Sequence, residues 1–128
     1  MIFVDSNVFI YAVGRSHPLR DEARNFFLDS GKGGRRLVTS AEVLQELLHV
    51  YLPVERFETL DAALELATSG VDRVIPIDAD MVLHARNLAQ KHPSLTARDL
   101  LHLALCHLYK IKDIKTFDRG LLREFKRG

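Results

Sequence analysis

Apolar and polar residues alternate in blocks along the chain, and these blocks predict short buried strands separated by amphipathic helices. The first run, Ile2 to Val4, has no polar position, which is typical of a parallel strand covered on both faces. Similar runs predict strands at residues 37–39, 73–77 and 114–117. Between them, helical spacing predicts helices over residues 8–13, 20–29 and 57–67, and helices that follow Thr39, Asp78, Thr96 and Asp118. This order predicts a three-layer α/β/α domain around a mostly parallel sheet.

Length and composition favour one globular domain over residues 1–128. The chain has 128 residues, of which 47% are hydrophobic and 27% charged, enough for a single core. Its one cysteine, Cys106, excludes an internal disulfide and a cysteine-rich zinc site, and its apolar surroundings indicate a buried thiol. No apolar run is long enough to span a membrane, and the first residues do not resemble a signal peptide. We therefore expect a cytoplasmic protein without a membrane partner.

Charge is distributed unevenly, although the formal net charge is only +1. Residues 110–128 contain seven basic and three acidic side chains, whereas the rest of the chain has more acids than bases. Such a basic segment would attract a polyanion, but a solvated helix face has the same composition, and charge alone favours that second interpretation.

Four acidic residues lie where the predicted elements begin or end. Asp5 and Asp118 each follow a predicted strand, and Asp99 is in the first turn of a helix. Each also has a structural explanation, because short polar side chains cap helices and acids are favoured near helix N-termini. Glu42 fits a capping box with Thr39, whereas Glu46 lies one turn beyond it, at a position usually found at the solvent edge of a helix.

In a parallel sheet with helices on both faces, Asp5, Glu46, Asp99 and Asp118 would converge at one end of the strands. Converging carboxylates repel each other unless a cation lies between them. Hard oxygen donors suit Mg²⁺ or Mn²⁺, and the absence of a cysteine or paired-histidine cluster disfavours zinc. Such a site is suited to phosphodiester hydrolysis, in which one ion activates a water and a second stabilises the departing 3′ oxygen. Ser6, Asn7 and Thr116 would orient the waters from a surrounding layer.

Four segments, DSNVFIY, VLQELL, ARDLLHLALC and TFDRGL, resemble in order and spacing the motifs of PIN-domain ribonucleases, particularly the VapC-type toxins of toxin–antitoxin pairs. The resemblance covers essentially the whole chain. It implies that Asp5, Glu46, Asp99 and Asp118 are the acidic quartet, with Asn7 and Thr116 nearby. It also implies a parallel sheet of about five strands, metal-dependent cleavage of RNA that leaves a 5′ phosphate, a homodimer, and inhibition by a small antitoxin.

Several other side chains are candidates for contacts with RNA. The basic residues Lys112, Lys115, Arg119 and Arg123 would contact the phosphate backbone in a salt-dependent way, and Arg98 lies next to Asp99. His102 lies one helical turn after Asp99, where it would meet a phosphate or a metal. A histidine in an apolar helix is more often part of the core, and we favour that interpretation.

Other functions remain as alternatives. A haloacid-dehalogenase-type phosphatase needs a second aspartate at the position of Asn7, and a response-regulator receiver needs neighbouring acids at the first strand and a lysine after the last. A non-catalytic interaction module would use the same acids only as helix caps. Within the PIN-domain resemblance, a housekeeping RNA-processing nuclease is the alternative to a toxin.

Overall fold

Four short strands form a parallel sheet, and helices connect each strand to the next. The computed structural model describes residues 1–128. Its strands are β1 (Ile2–Val4), β2 (Leu37–Ser40), β3 (Arg73–Ile75) and β4 (Asp113–Lys115). Its α-helices are α1 (Ser6–Val13), α2 (Pro18–Gly33), α3 (Ala41–Tyr51), α4 (Phe57–Ser69), α5 (Ala79–Leu88), α6 (Ala97–Leu108) and α7 (Arg119–Arg127), and a 3₁₀ turn covers Leu52–Val54.

The strand order is β3-β2-β1-β4, and all three pairings are parallel. β1 is central and completely buried, as its uninterrupted apolar sequence predicts. Because the strands are parallel, the residues that follow them all lie at one side of the sheet, which we call the carboxyl end. The opposite side, where the strands begin, is the amino end. The predicted α/β class and parallel sheet are therefore confirmed.

The sheet has four strands, whereas the resemblance implied about five. The periodicity of the sequence predicts only the four that are present. After β4 and a short turn, the chain forms α7 (Arg119–Arg127) rather than a further strand.

Most helix caps agree with the sequence. The side chains of Thr96, Asp78 and Asp118 each accept a hydrogen bond from the backbone of the helix that follows. The capping box from Thr39 was wrong by one residue: Ser40 Oγ accepts from the Val43 amide at 3.2 Å. Thr39 instead donates its hydroxyl to the Val4 carbonyl at 2.8 Å and so joins β2 to β1.

The helix predicted over residues 20–29 is longer than expected. It begins at Pro18, after a cap by His17, and continues through Gly31. It ends at Gly33 and is capped by Gly34, whose φ of 66° lies in the left-handed region that glycine adopts without strain. The glycine that closes the helix is therefore Gly34 and not Gly31, the residue that the sequence predicted.

The core lies around β1 and extends to α1, α3 and α6. Phe3, Phe9 and Leu47 are fully buried within it. Cys106 also lies in this core, as predicted, and burial raises the pKa of its thiol to about 12. None of the helices has the length and apolar character needed to cross a membrane.

Candidate active site

Asp5 lies at the carboxyl end of β1 and is 5% exposed. Its Oδ1 accepts a hydrogen bond from the Ser6 amide at 2.7 Å. Its Oδ2 accepts from the Thr116 hydroxyl at 2.7 Å. Val4 and Lys115 are paired across β1 and β4, so Asp5 and Thr116 are the first residues beyond two neighbouring strands. The strand register therefore places these two side chains together and holds the carboxylate in one orientation.

Asn7 completes the layer around Asp5. Its Nδ2 lies 3.3 Å from Thr116 Oγ1 and 3.5 Å from Asp5 Oδ2, and its Oδ1 accepts from the Phe117 amide at 3.1 Å. The Ser6 hydroxyl is also 3.5 Å from Asp5 Oδ1. The three residues predicted to form this layer, Ser6, Asn7 and Thr116, thus all contact Asp5.

Glu46 is not at the solvent edge, as its position in α3 suggested, but is half-buried. One of its oxygens lies 2.8 Å from Arg98 Nη1. The pKa of Glu46 is raised to about 7, mainly because burial removes water from the carboxylate and next because Asp5 is negatively charged. Arg98 opposes this effect, and the charge of Asp99 adds to it.

Asp99 lies in the first turn of α6, where its amide donates to Thr96 Oγ1 at 3.3 Å. Burial raises the pKa of its carboxyl group, and the charges of Asp118 and Asp5 raise it further. The Thr96 hydrogen bond and His102 act in the opposite direction. Asp99 is therefore electrostatically coupled to other members of the predicted quartet.

Asp118 is more exposed than the other three acids. Its Oδ1 accepts from the Leu121 amide at 3.1 Å and so caps α7. Its own amide donates to Thr116 Oγ1 at 3.0 Å. The capping interpretation from the sequence is therefore correct, and the same residue also contributes to the charge around Asp99.

His102 lies both in the core, which the sequence favoured, and against the site, which the sequence offered as the alternative. It is indeed buried, with its ring 5.1 Å from that of Phe3. Its Nε2 also lies 3.5 Å from Asp5 Oδ1, and its Nδ1 has no hydrogen-bond partner. The signal that points to this contact is the three-residue spacing from Asp99, which places both residues on one face of α6.

The chemistry of the cluster fits a hard divalent cation. All the donors are carboxylate oxygens, and the raised pKa values of Glu46 and Asp99 show that negative charge is disfavoured there. No three histidine, cysteine or acidic side chains converge closely enough to hold a metal in this arrangement. The cluster is thus open, and part of the charge of Glu46 is balanced by Arg98.

The basic candidates lie in different places. Arg98 contacts Glu46, and Lys115 Nζ lies 2.9 Å from Glu22 Oε2. Arg119 and Arg123 are exposed on α7. Lys112 precedes β4 and so lies at the amino end of the sheet, on the side away from Asp5. The structure does not bring Lys112 to the site.

The sequence of residues 2–127 matches the PIN domain family. This chain belongs to the PIN-domain family. It is 54% identical over 126 residues to Ribonuclease VapC23 of Mycobacterium tuberculosis, covering 98% of this chain and 99% of that protein. It is 42% identical over 120 residues to Ribonuclease VapC13 of the same organism, covering 94% and 92%. The chain is thus a VapC-type PIN domain, as its four motifs indicated.

A solved structure supports the same fold for this PIN domain. The crystal structure of M. tuberculosis VapC20, described as a toxin that cleaves the sarcin-ricin loop, superposes with a TM-score of 0.83. The match covers 97% of this chain and 95% of VapC20 at 20% sequence identity. At that identity the likeness concerns the fold alone.

Proposed function

We propose that this PIN domain is the endoribonuclease toxin of a toxin–antitoxin pair, with Asp5, Glu46, Asp99 and Asp118 as its catalytic centre. VapC ribonucleases at 54% and 42% identity over nearly the full chain support the activity. The observation that carries the assignment of the site is the buried Asp5 carboxylate at the carboxyl end of β1, which Ser6 and Thr116 hold in one orientation. The charge of Asp5 also acts on Glu46 and Asp99. In open α/β sheets, ligands bind at this end.

The residues of the chain have distinct parts in this proposal. Ser6 and Thr116 fix the carboxylate of Asp5, so its two oxygens present a constant geometry to the scissile phosphate. Asn7 fixes Thr116 in turn. Asp99 and Glu46 add negative charge on the side of Asp5 formed by α6 and α3. Asp118 adds negative charge near Asp99 from the start of α7.

VapC-type ribonucleases depend on a divalent metal, and we propose Mg²⁺ or Mn²⁺ for this one. Asp5, Asp99, Glu46 and Asp118 would hold it, because oxygen-only donor sets favour these ions. When bound, the cation supplies the Lewis acidity that activates water and stabilises the departing 3′ oxygen. Arg98, which now contacts Glu46, would then be free to bind another anion. Because arginine binds phosphate strongly, this anion would be the phosphate of the substrate.

Cleavage of labelled RNA by the purified protein tests the assignment. With Mg²⁺ or Mn²⁺ present, we expect Asp5→Asn and Asp99→Asn to reduce the rate by at least about 100-fold, since each removes a fixed charge from the site. Asp61→Asn is the matched control, because Asp61 is an exposed acid on α4 without a hydrogen bond or ion pair to another side chain. A wild type that cleaves nothing with either ion would instead favour the non-catalytic interaction module.

We propose two protein partners in addition to RNA: a second copy of the chain and a small antitoxin. Large apolar side chains are exposed outside the core, among them Phe57, Val82 and Leu83. Surfaces of this kind mark protein interfaces. A hollow of about 410 Å³ lies beside the site and is lined mainly by apolar residues of α5 and α6, together with Arg98 and Glu42. Light scattering on the purified chain tests the dimer.

The alternative within the family is a housekeeping RNA-processing nuclease. A toxin acting in the cytoplasm should arrest growth when expressed, and co-expression of its cognate antitoxin should relieve the arrest. Growth arrest should disappear in Asp99→Asn if cleavage causes it. A protein that is expressed at high level without slowing growth would favour the housekeeping function.

A further inference from the structure

The outward side of α7 carries a row of cations that the catalytic centre does not use. Arg119, Arg123 and Lys126 are exposed and separated by four and three residues, so they lie on one side of the helix over about two turns, or about 10 Å. Leu121 and Glu124 lie on the opposite, buried side. We call Arg119, Arg123 and Lys126 the α7 basic face.

These three cations are not neutralised by a direct contact in the protein, although Arg123 lies near Asp118. None of them forms an ion pair with a carboxylate, whereas the neighbouring Arg127 contacts both oxygens of Glu124 at 3.0 and 2.8 Å. Like charges three and four residues apart on a helix repel each other. Arg119 is also in the first turn, where the helix dipole disfavours a cation. The dipole favours Lys126, which is in the last turn, but helix stability does not explain Arg119 and Arg123.

The α7 basic face begins at the candidate active site. Asp118 caps α7, and Gly120 lies between Asp118 and Arg123. A Cβ on Gly120 would lie 3.3 Å from Asp118 Oδ1 and 3.9 Å from Arg123 Nη2, so the missing side chain leaves room for the guanidinium beside this acid. From there α7 extends toward the amino end of the sheet, where the Gly128 carbonyl accepts from Lys91 Nζ at 3.2 Å.

We propose that the α7 basic face is a track for the phosphate backbone of the RNA, on one side of the phosphodiester that is cut. The inference rests on the proposed nuclease function, since it states that α7 binds the RNA strand that enters the candidate active site. Cations that are not engaged in ion pairs can neutralise phosphates and so release the counterions of the RNA. The face presents no aromatic side chain on which a base could stack, so it positions the strand without reading its sequence. The cations also line an open hollow of about 480 Å³ with Leu122.

The salt dependence of RNA binding tests this track. Binding of a labelled single-stranded RNA is measured in the Asp99→Asn background, which prevents cleavage, at several salt concentrations. Each of Arg119→Gln, Arg123→Gln and Lys126→Gln should reduce the slope of log affinity against log salt by about 0.7. Lys32→Gln is the matched control, because Lys32 is exposed near the end of α2, at the amino end of the sheet.

Thermal unfolding of the same variants separates a binding role from a structural one. Arg119→Gln and Arg123→Gln remove repelling charges and should leave the melting temperature unchanged or raise it, whereas Lys126→Gln also removes a cation that the helix dipole favours and should lower it slightly at most. Equal slopes for the three variants and Lys32→Gln would overturn the track, even if the wild type cleaves RNA. The track would also be overturned if the three variants bound RNA like the wild type but no longer bound an acidic protein. The α7 basic face would then be a protein-binding surface. A failure of the nuclease proposal would appear separately, as a wild type that binds RNA but never cuts it.

Discussion

At the scale of single residues, the hydroxyl of Thr116 makes three contacts in the candidate active site. Its hydroxyl donates to Asp5 Oδ2 at 2.7 Å and accepts from the Asp118 amide at 3.0 Å. Asn7 Nδ2 lies 3.3 Å from the same oxygen. One hydroxyl thus links β1, α1 and the start of α7, and its direction is set by the acceptor that it must satisfy.

Replacement of Thr116 separates this hydrogen bonding from simple packing. Thr116→Val keeps the shape but removes the donor from Asp5, and we expect a loss of about 1–2 kcal/mol in the free energy of unfolding and at least about a tenfold loss of cleavage rate. Thr116→Ser keeps the hydroxyl and should retain most of the rate. Urea unfolding and RNA cleavage measure the two effects. Equal rates for the valine and serine variants would show that the hydroxyl does not orient Asp5.

His102 is expected to position Asp5 from the side of α6. Its Nε2 faces Asp5 Oδ1, and its Nδ1 is buried without a partner, so the tautomer with the proton on Nε2 is favoured because it buries no unpaired N–H. Gln can present a donor nitrogen at a similar distance, whereas Phe cannot.

We therefore expect His102→Phe to weaken Mn²⁺ binding by about tenfold, as loss of supporting contacts to metal ligands typically does. His102→Gln should recover part of this affinity. Titration with Mn²⁺ followed by electron paramagnetic resonance measures binding without cleavage. His107→Gln is the control, since His107 is exposed on the same helix. If the phenylalanine variant binds Mn²⁺ as tightly as the wild type, His102 is only a core residue.

At the scale of elements, α7 is attached to the rest of the domain by a buried polar pair. Glu124 Oε1 lies 3.0 Å from His92 Nδ1, and both side chains are buried. Hydrogen bonds from His92 and Arg127 lower the pKa of the Glu124 carboxyl. The pair joins α7 to the connection between α5 and α6, and so supports the helix that Asp118 caps.

Breaking this pair should destabilise the protein. We expect Glu124→Ala and His92→Ala each to lower the free energy of unfolding by about 2 kcal/mol, because each leaves a buried polar partner unpaired. The double variant should lose clearly less than the sum, since the two residues act on each other. Urea unfolding of the four proteins measures this. Strict additivity would show that the two side chains do not interact.

The elements were predictable to different degrees, and the reasons are physical. Ile2 to Val4 was recognisable as a buried strand because it has no polar position, and Asp78 and Asp118 were recognisable as caps. The role of Thr39 was not, because the same hydroxyl can cap a helix or bridge two strands, and only the position of Val4 decides. The sequence predicted only that Asp5 and Thr116 lie near each other. The hydrogen bond between them could not be predicted, because it depends on the register of β1 with β4.

At the scale of the whole molecule, the acidic cluster links stability to pH and to metal. Burial and neighbouring charge raise the pKa of Glu46 from 4.5 to about 7 and also raise that of Asp99. A carboxyl whose pKa is higher in the folded state binds its proton more tightly there. Its contribution to stability is therefore complete below pH 4.5 and is lost as the pH rises through about 7.

Without divalent cations, we expect the free energy of unfolding to fall on the order of 1 kcal/mol across this range, after allowance for solvent screening. Mn²⁺ should reduce the fall, because it stabilises the ionised cluster and raises the melting temperature by mass action. Glu46→Gln should flatten the pH dependence. Urea unfolding at several pH values, with Mn²⁺ or a chelator, measures both effects. A pH profile unaffected by Glu46→Gln would show that this carboxyl is not responsible.

The pairing of β1 with β4 has a consequence for the order of events during synthesis. Asp5 leaves the ribosome early, but the hydroxyl that orients it belongs to a residue 111 positions later. The last acid of the quartet and the whole of α7 emerge later still. A chain that has not yet been extended through Thr116 and α7 therefore lacks both the hydroxyl that orients its first carboxylate and the helix beside it, so the site cannot form until these residues have been synthesised.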